Sequence, residues 1–340
     1  MLLSRERRQQ RESEQFRVNF GTGQNEMIQN KDEGSLKDKV LEERFRTVRL
    51  IGTGSFGEIY LGADLELSRD NSVDVAIKVE PKRLRGQLKF ESHVYEILRS
   101  ENGFPHLRKF GEDNLLSVNY LAMDLLGPTV EDLFNFCDKS FSLKTILMLI
   151  EQLLCRLECI HSKGIIHRDI KPDNLVMGLN HMSKTVMMID FGIAKFFRKR
   201  NQPFDHIDED TQCRRGRGII GTPRYCSVHA HRGEHLSRRD DMESLAYVIV
   251  YFLKGKLPWQ NIQVQGKFNK LEAIHDKKKN TSFNDYLAGF PKEFAIFVDY
   301  CRNLPFKATP DYMFLRNLFR CLGQKWNIQY DLKFDWSKHK

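Results

Sequence analysis

The spacing of apolar positions changes along the chain near residue 45. Before it, residues 1 to about 44 mix Arg, Gln, Glu, Asn and Lys without apolar periodicity. Such a stretch has too little apolar surface to fold alone and predicts a flexible extension. From Phe45 the apolar residues fall in short runs. Val48, Leu50 and Ile51, then Ile59, Tyr60 and Leu61, predict two strands around a glycine turn. Val73 to Val79 predicts a third strand, and Leu115 to Leu126 predicts further ones. Phe90, Val94, Ile97 and Leu98 recur at helical spacing, so residues 90–98 read as a helix. After Gly127 the balance moves to helix. Leu143 to His161 is apolar on most faces, as befits a helix in the middle of its lobe, and Asp241 to Leu253 reads the same way. No internal repeat or low-complexity tract interrupts this order.

Composition narrows the class. A chain of 340 residues fits two domains or lobes at about 150 residues each. With 41% hydrophobic and 29% charged residues it is not a disordered, collagen-like or disulfide-scaffold chain. Its longest apolar runs, such as Leu245 to Leu253, are too short to span a bilayer, so no membrane insertion is expected. Met1 to Leu3 leads into Ser4-Arg-Glu-Arg-Arg8 without the apolar core of a secretory leader, and no lipidation motif is seen. The net charge of +9 favours an acidic partner, but it serves solubility equally well and does not choose between nucleic acid, lipid and acidic protein. The seven cysteines form no C-x-x-C pair and read as reduced thiols, which predicts cytoplasmic and/or nuclear residence.

Four motifs carry chemistry. Gly52-Thr-Gly54-Ser55-Phe-Gly57-Glu-Ile59 can form a tight turn whose N–H groups approach phosphate oxygens. Alone it is weak, since many such turns mean only a hairpin. Val75-Ala76-Ile77-Lys78 puts a lysine on an apolar strand, where it needs an anion, and Glu91 on the following helix is the candidate carboxylate. A lysine reaching out from an edge strand would look the same. Ile166-His167-Arg168-Asp169-Ile170-Lys171-Pro172-Asp173-Asn174 is far more specific. Asp169 can orient a hydroxyl and accept its proton, Lys171 can neutralise a phosphate in flight, and the Asn174 amide oxygen suits Mg²⁺. In Met188-Ile189-Asp190-Phe191-Gly192 an apolar strand ends on a carboxylate suited to the same metal. All four in this order match the protein-kinase signature set.

Beyond the generic set, the chain resembles the casein kinase I family of serine/threonine protein kinases, from about Phe45 to Trp336. The stretches that carry the resemblance include Leu125-Leu-Gly-Pro128, Glu131 to Phe136, Phe141 to Thr145, Ile160 to Lys163 and Arg238 to Ser244. Leu257-Pro-Trp-Gln260, Pro310-Asp-Tyr312 and Phe334-Asp-Trp336 add to them, as does Ser227-Val228-His229 where other kinases carry Ala-Pro-Glu. The resemblance implies an α+β, bilobal protein kinase fold. A small β-rich N-lobe would cover about 45–125 and a larger, mainly α-helical C-lobe about 127–336. The extension over 1–44 and a short tail at 337–340 would flank them, with ATP between the lobes. It also implies Mg²⁺-dependent transfer of the ATP γ-phosphoryl to Ser or Thr. Asp169 and Lys171 would be catalytic and Asn174 and Asp190 would bind metal. The nucleotide would be met by Ile51, Gly52, Gly54, Ser55, Gly57 and Ile59. Ala76, Lys78, Glu91, the gatekeeper Met123 and the hinge residues Asp124 and Leu126 would complete that set. Asp241 would brace the His167–Arg168 backbone. Substrates would be proteins with acidic or phosphorylated residues near the acceptor, met by Arg224, Lys270 and Lys267. The protein would be monomeric, with no nucleic acid as main ligand. Because the activation segment lacks an obvious phosphosite in the usual place, activity without an upstream kinase is expected.

Pro223 and Asn261 stand where relatives usually carry Ala and Gly, which bears on the primed-substrate preference rather than on catalysis. The segment Phe196 to Ile220 is longer than usual, and its Arg214, Arg215 and Arg217 could widen an acidic-substrate groove or simply be solvated. Lys277-Lys-Lys279 is read as a solvated helix end rather than a nuclear signal. His229, His231 and His235 are read as loop histidines rather than a zinc site. A pseudokinase scaffold, a nucleic-acid-binding protein and a small-molecule phosphotransferase are the competing readings. The full catalytic set, the absence of a reader motif and the extent of the family stretches weigh against each in turn.

Overall fold

The structure is a computed structural model that describes residues 36–54, 57–66, 73–83, 86–198, 218–264 and 266–337. It divides into two compact units. One takes the described residues up to Arg99 together with Pro105–Pro128 and Met177–Ser183; the other takes Ser100–Phe104, Thr129–Val176 and everything from Lys184 on. The expected boundary at residues 125–127 lies slightly later, after Pro128. The cause is a reciprocal backbone pair, Gly127 N–H to the Met177 carbonyl (2.8 Å) and Met177 N–H to the Pro128 carbonyl (3.0 Å).

The first unit is a six-stranded antiparallel sheet with one helix. Its strands are β1 (Val40–Leu41), β2 (Phe45–Gly54), β3 (Gly57–Asp64), β4 (Val73–Pro81), β5 (Leu107–Asp113) and β6 (Val118–Asp124), in the order β1-β2-β3-β4-β6-β5. Strand β1 corrects the extension read over residues 1–44. Leu41 is fully buried beside Phe45, and Val40 and Leu41 register against Arg46 and Phe45. Strand β5 also had no sequence prediction, because Leu107-Arg-Lys-Phe-Gly-Glu-Asp alternates too weakly to signal burial. Successive strand residues face opposite sides. In β4, Val75, Ile77 and Val79 therefore enter the core with Leu41, Phe45, Tyr60 and Tyr120, while Ala76, Lys78 and Glu80 take the other face. Helix α1 (Gln87–Ile97) starts three residues before the expected position. Gly86 sits at φ 68° before it, and the buried Glu80 carboxylate accepts the Leu88 N–H (3.4 Å) in place of a capping side chain.

The second unit is mainly helical. Its longer helices are α3 (Leu143–Ser162), α5 (Arg238–Lys254), α6 (Lys267–Asn280), α8 (Lys292–Asn303) and α9 (Tyr312–Lys325), with the shorter α2 (Val130–Phe136), α4 (Val228–His231) and α7 (Phe283–Tyr286). Short strands β7 (Ile165–Ile166), β8 (Leu175–Met177), β9 (Val186–Met188) and β10 (Lys195–Phe196) flank the loops between them. Helix α3 begins at Ser142, whose hydroxyl accepts the Thr145 N–H, and the Asp335 carboxylate takes the Ser142 N–H (2.6 Å) and hydroxyl (2.9 Å). The segment at Asp335 therefore docks on the helix start, where a carboxylate also suits the helix dipole. Trp336 packs on Phe141 at 5.4 Å between ring centroids, and Phe141 on Phe134 at 4.7 Å. Phe134 also meets Tyr251 and Phe252 edge-on, at 5.0 and 5.1 Å. Helix α5 carries buried residues along nearly its whole length, and Gly255 closes it at φ 71°. No helix among the described residues is long and apolar enough to cross a membrane.

Phe134 is fully buried at the centre of this aromatic cluster, so Phe134→Ala should cost about 3–5 kcal/mol. Leu115→Ala, at a side chain 96% exposed, should change stability by less than about 0.5 kcal/mol. Urea unfolding of the two variants, followed by circular dichroism, checks the contrast.

Candidate active site

The candidate residues form two sets, one in each unit. In the sheet unit, β2 and β3 close on the glycine turn with Gly52 opposite Ile59 and Gly54 opposite Gly57. Ser55 lies outside the described residues. Gly57 cannot carry a side chain, since a Cβ there would stand 2.0 Å from the Val79 carbonyl oxygen. Lys78 lies on β4, an interior strand between β3 and β6, so it is not a lysine reaching out from an edge. Its Nζ donates to Glu91 Oε2 at 2.8 Å, with both side chains buried. Ala76, on the same face of β4, registers opposite the buried Met123 of β6. Asp124 ends β6; its N–H donates to the His106 carbonyl (3.1 Å) and its carboxylate is held by Arg108 (2.6 Å). Ile51 is exposed, while Ile59 and Leu126 are partly buried.

In the helical unit the loop after β7 carries the second set. Asp241, buried in the first turn of α5, accepts the backbone N–H of His167 and of Arg168, each at 2.8 Å. It also receives His161 Nε2 at 2.9 Å, and His161 Nδ1 meets the Tyr312 hydroxyl. Burial alone would raise the Asp241 carboxyl, but the bonds from His161 and the loop outweigh it and hold the group below its ordinary range. Burial pulls His161 down, so it stays neutral and donates through Nε2. The His167 ring bridges its own loop to the next. Its Nε2 bonds the Ile189 carbonyl (3.0 Å) and its Nδ1 accepts the Asp169 N–H (3.3 Å). Arg168 sits at φ 69° and Asp190 at φ 67°, a region side-chain-bearing residues rarely occupy.

Asp169 is the most constrained of the set. Oδ1 accepts the Thr222 N–H (2.8 Å) and hydroxyl (2.7 Å), and Oδ2 pairs with Lys171 Nζ at 2.8 Å. Burial would lower the Lys171 ammonium, but the Asp169 carboxylate overrides it and raises it. Asn174 Nδ2 donates to the Asp169 carbonyl (2.9 Å), which points the amide oxygen away as a hard donor. That oxygen and the Asp190 carboxylate are the type of donor Mg²⁺ takes, so the pair fits the metal by chemistry. No group of three or more His, Cys, Asp or Glu suited to a metal occurs among the described residues. His229 and His231 belong to α4 rather than to a loop, and His229 bonds Glu234 (2.7 Å).

Of the anion-binding candidates, Arg224 is exposed with its guanidinium 5.8 Å from the Tyr225 ring centroid, and Lys270 is exposed on α6. The Lys267 side chain lies outside what the structure describes, as do Arg214, Arg215 and Arg217. Two groups near the site had gone unread. Thr222 is invisible as a partner of Asp169 because the two are 53 positions apart. Lys278 is not part of a solvated helix end. It is fully buried, while Lys277 and Lys279 beside it are exposed.

Residues 45–307 match the family model described as the protein kinase domain.

Asp241→Asn leaves one acceptor oxygen before three N–H donors. It should cost about 3–5 kcal/mol. The depressed carboxyl also fixes the pH dependence. Its stabilisation is present above the ordinary 3.8 and is lost as pH falls through the lower folded value, so the variant should show a shallower acid limb. Unfolding curves from about pH 2 to 7 measure both effects.

Proposed function

Because the chain belongs to the protein kinase family and is a phosphotransferase acting on proteins, we propose that it is a casein kinase I-type serine/threonine kinase. It transfers the γ-phosphoryl of ATP to Ser or Thr in acidic or pre-phosphorylated segments. The observation that carries the reading is the setting of Asp169. Its two carboxylate oxygens are fixed by Thr222 on one side and Lys171 on the other. A carboxylate held this way orients an incoming hydroxyl and takes its proton without reorganising. Lys171 supplies positive charge where charge builds on the transferred group. The Lys78–Glu91 pair presents an ammonium with fixed direction to nucleotide phosphates, and the glycine turn can cover them. Bound Mg²⁺ would be held by Asn174 and Asp190 and would neutralise charge on the β- and γ-phosphates.

Two features support acidic substrates. Arg224 is exposed two residues from Thr222, which touches Asp169, so a cation lies close along the chain to the group that meets the acceptor. The net charge of +9 adds long-range attraction for acidic segments. Asn261 departs from the casein kinase I pattern, but it adopts φ 63°, a conformation that glycine takes freely and asparagine tolerates. The kinase reading implies protein substrates; the acidic preference, monomeric state and cytoplasmic or nuclear residence are proposed with it.

Asp169→Asn and Lys78→Arg should each lower kcat by at least about a hundredfold with the fold intact. Arg224→Ala should raise KM for an acidic peptide by about tenfold and leave a neutral peptide nearly unchanged. A Mg-ATP peptide assay, with and without a phosphoserine before the acceptor, measures these. Equal Arg224→Ala effects on acidic and neutral peptides would remove the proposed selectivity.

A further inference from the structure

The segment Thr222–Cys226 touches Asp169 at its start and carries Arg224 in its middle, yet it has no regular hydrogen-bonding partner strand. Besides the Thr222 N–H on Asp169, its backbone is held in three ways. The Thr222 carbonyl accepts the N–H groups of Tyr225 and Cys226, each at 2.9 Å. The indole N–H of Trp259 donates to the Arg224 carbonyl at 2.7 Å. The remaining fastening comes from Lys278 of α6, whose Nζ donates to the carbonyls of Pro223 (2.9 Å) and Cys226 (2.5 Å). The ammonium lies 5.1 Å from the ring centroid of Tyr247 and 5.2 Å from that of Trp259. It is fully buried, and no carboxylate among the described residues pairs with it. Glu243, the carboxylate whose field reaches Lys278, accepts the Val228 N–H and the Tyr247 hydroxyl instead.

A buried, unpaired ammonium is costly, and a hydrophobic side chain of similar size would avoid that cost. Helix α6 needs no charge there for its own sake, since Lys277 and Lys279 keep its end soluble. The geometry points to Lys278 as a positioning residue for substrate. Its charged head clamps the turn Thr222–Cys226 from the inner side, so that Thr222 stays on Asp169 and Arg224 stays turned to the acceptor's acidic neighbours. This deepens the kinase reading above and rests on it. Lys278 touches neither nucleotide nor acceptor and acts only through the segment.

The groups around Lys278 make the clamp separable by pH. Facing it are the Cys226 thiol of the segment, Glu243 and Tyr247 of α5, and His231 of α4, with His275 one turn away on its own helix. Burial pushes the Lys278 ammonium down to about 8, opposed by Cys226 and Glu243. Burial moves Cys226 up to about 11 and Tyr247 well above its ordinary value, and takes His231 down to about 3. These three therefore stay neutral while Lys278 loses its charge. Above 8 the amine is neutral in the folded protein but still charged in the unfolded chain up to its ordinary 10.5, so folding stability gains there. The clamp, by contrast, loses two charge-assisted bonds and the attraction to both rings. Substrate affinity should fall over the range where stability rises, whereas a merely structural lysine would give the same stability gain and leave peptide affinity unmoved.

The experiment uses the full chain and an N-acetylated peptide with one serine among Asp and Glu, none of which titrates between about pH 7 and 9. In the wild type, peptide KM should rise about tenfold across that range, while KM for ATP moves less than twofold. Lys278→Met should show the high peptide KM at every pH, and Lys278→Arg, charged throughout, should show a flat profile. The wild-type Tm should gain on that of Lys278→Met as pH rises. A flat wild-type peptide KM overturns the proposal whether or not the variants fold, and so does an equal rise in Lys278→Met. If the wild type phosphorylated no peptide at about pH 7, the kinase reading would fall and the proposal with it. Activity at that pH with a flat profile would sink the proposal alone.

Discussion

The carboxylate of Asp241 takes up two backbone N–H groups and one imidazole N–H in a place closed to water. A loop turning through left-handed Arg168 directs its amides inward, and buried amides without acceptors would make that turn too costly to keep. Asp241 satisfies both consecutive amides with its two oxygens. The direction of Asp169, one residue on, is set by that bracing. Helix α5 supplies the acid from its first turn, where the helix dipole also favours a negative charge. The charge is further stabilised by a neutral His161, itself held by Tyr312 of α9. Three helices, α3, α5 and α9, thus converge on one anion, and the loop takes its shape from them.

The same unit also ties its backbone down with buried and half-buried cations seated on carbonyl oxygens. Arg168 Nε donates to Ile193 (2.6 Å), Arg156 Nε to Val186 (3.1 Å), and an Arg238 terminal nitrogen to Lys307 (2.7 Å). Lys278 does the same for Pro223 and Cys226. Burial lowers all four, as expected when a charge leaves water without gaining a full counter-charge. A carbonyl clamp has a property that an ion pair lacks. It fastens a segment of any side-chain sequence, so residues such as Arg224 remain open to vary with the substrate while the backbone stays in place.

What could be read from the sequence divides along the same physical line. Regular burial was legible. The helices at Leu143 and Asp241, the strand with Lys78, and the strand ending before Asp190 appear because burial imposes a period on side chains that share a face. Helix α5 extends three residues earlier than its apolar pattern, because Arg238 and Asp240 there are polar residues buried by hydrogen bonds rather than by hydrophobicity. Strand β1 was missed because two residues carry no period. Lys278 was misread because three lysines in a row look solvated whichever of them turns inward; the face is decided by what packs against α6, which sequence spacing does not encode. The chemistry at Asp169 and Asn174 was legible as residue types, but the hold of Thr222 on Asp169 belongs to the fold.

Pro223 and Asn261 show how such a frame admits change. Proline lacks an N–H, but at 223 the clamp uses only the carbonyl, which proline retains. Its ring also narrows φ, which reduces the conformations the turn must give up to be held. Asn261 stands at φ 63°, where most side chains are strained and asparagine is among the least penalised. Both substitutions therefore leave the backbone path as the resemblance would have it, while Asn261 adds an amide at an exposed position where glycine would offer only main chain. An amide can donate to a phosphate or carboxylate oxygen but carries no charge, so its contribution to anion binding is directional and weak beside that of Arg224. Under the acidic preference proposed above, selectivity would rest chiefly on the arginine, and the arginine would serve it only while the turn beneath keeps its shape.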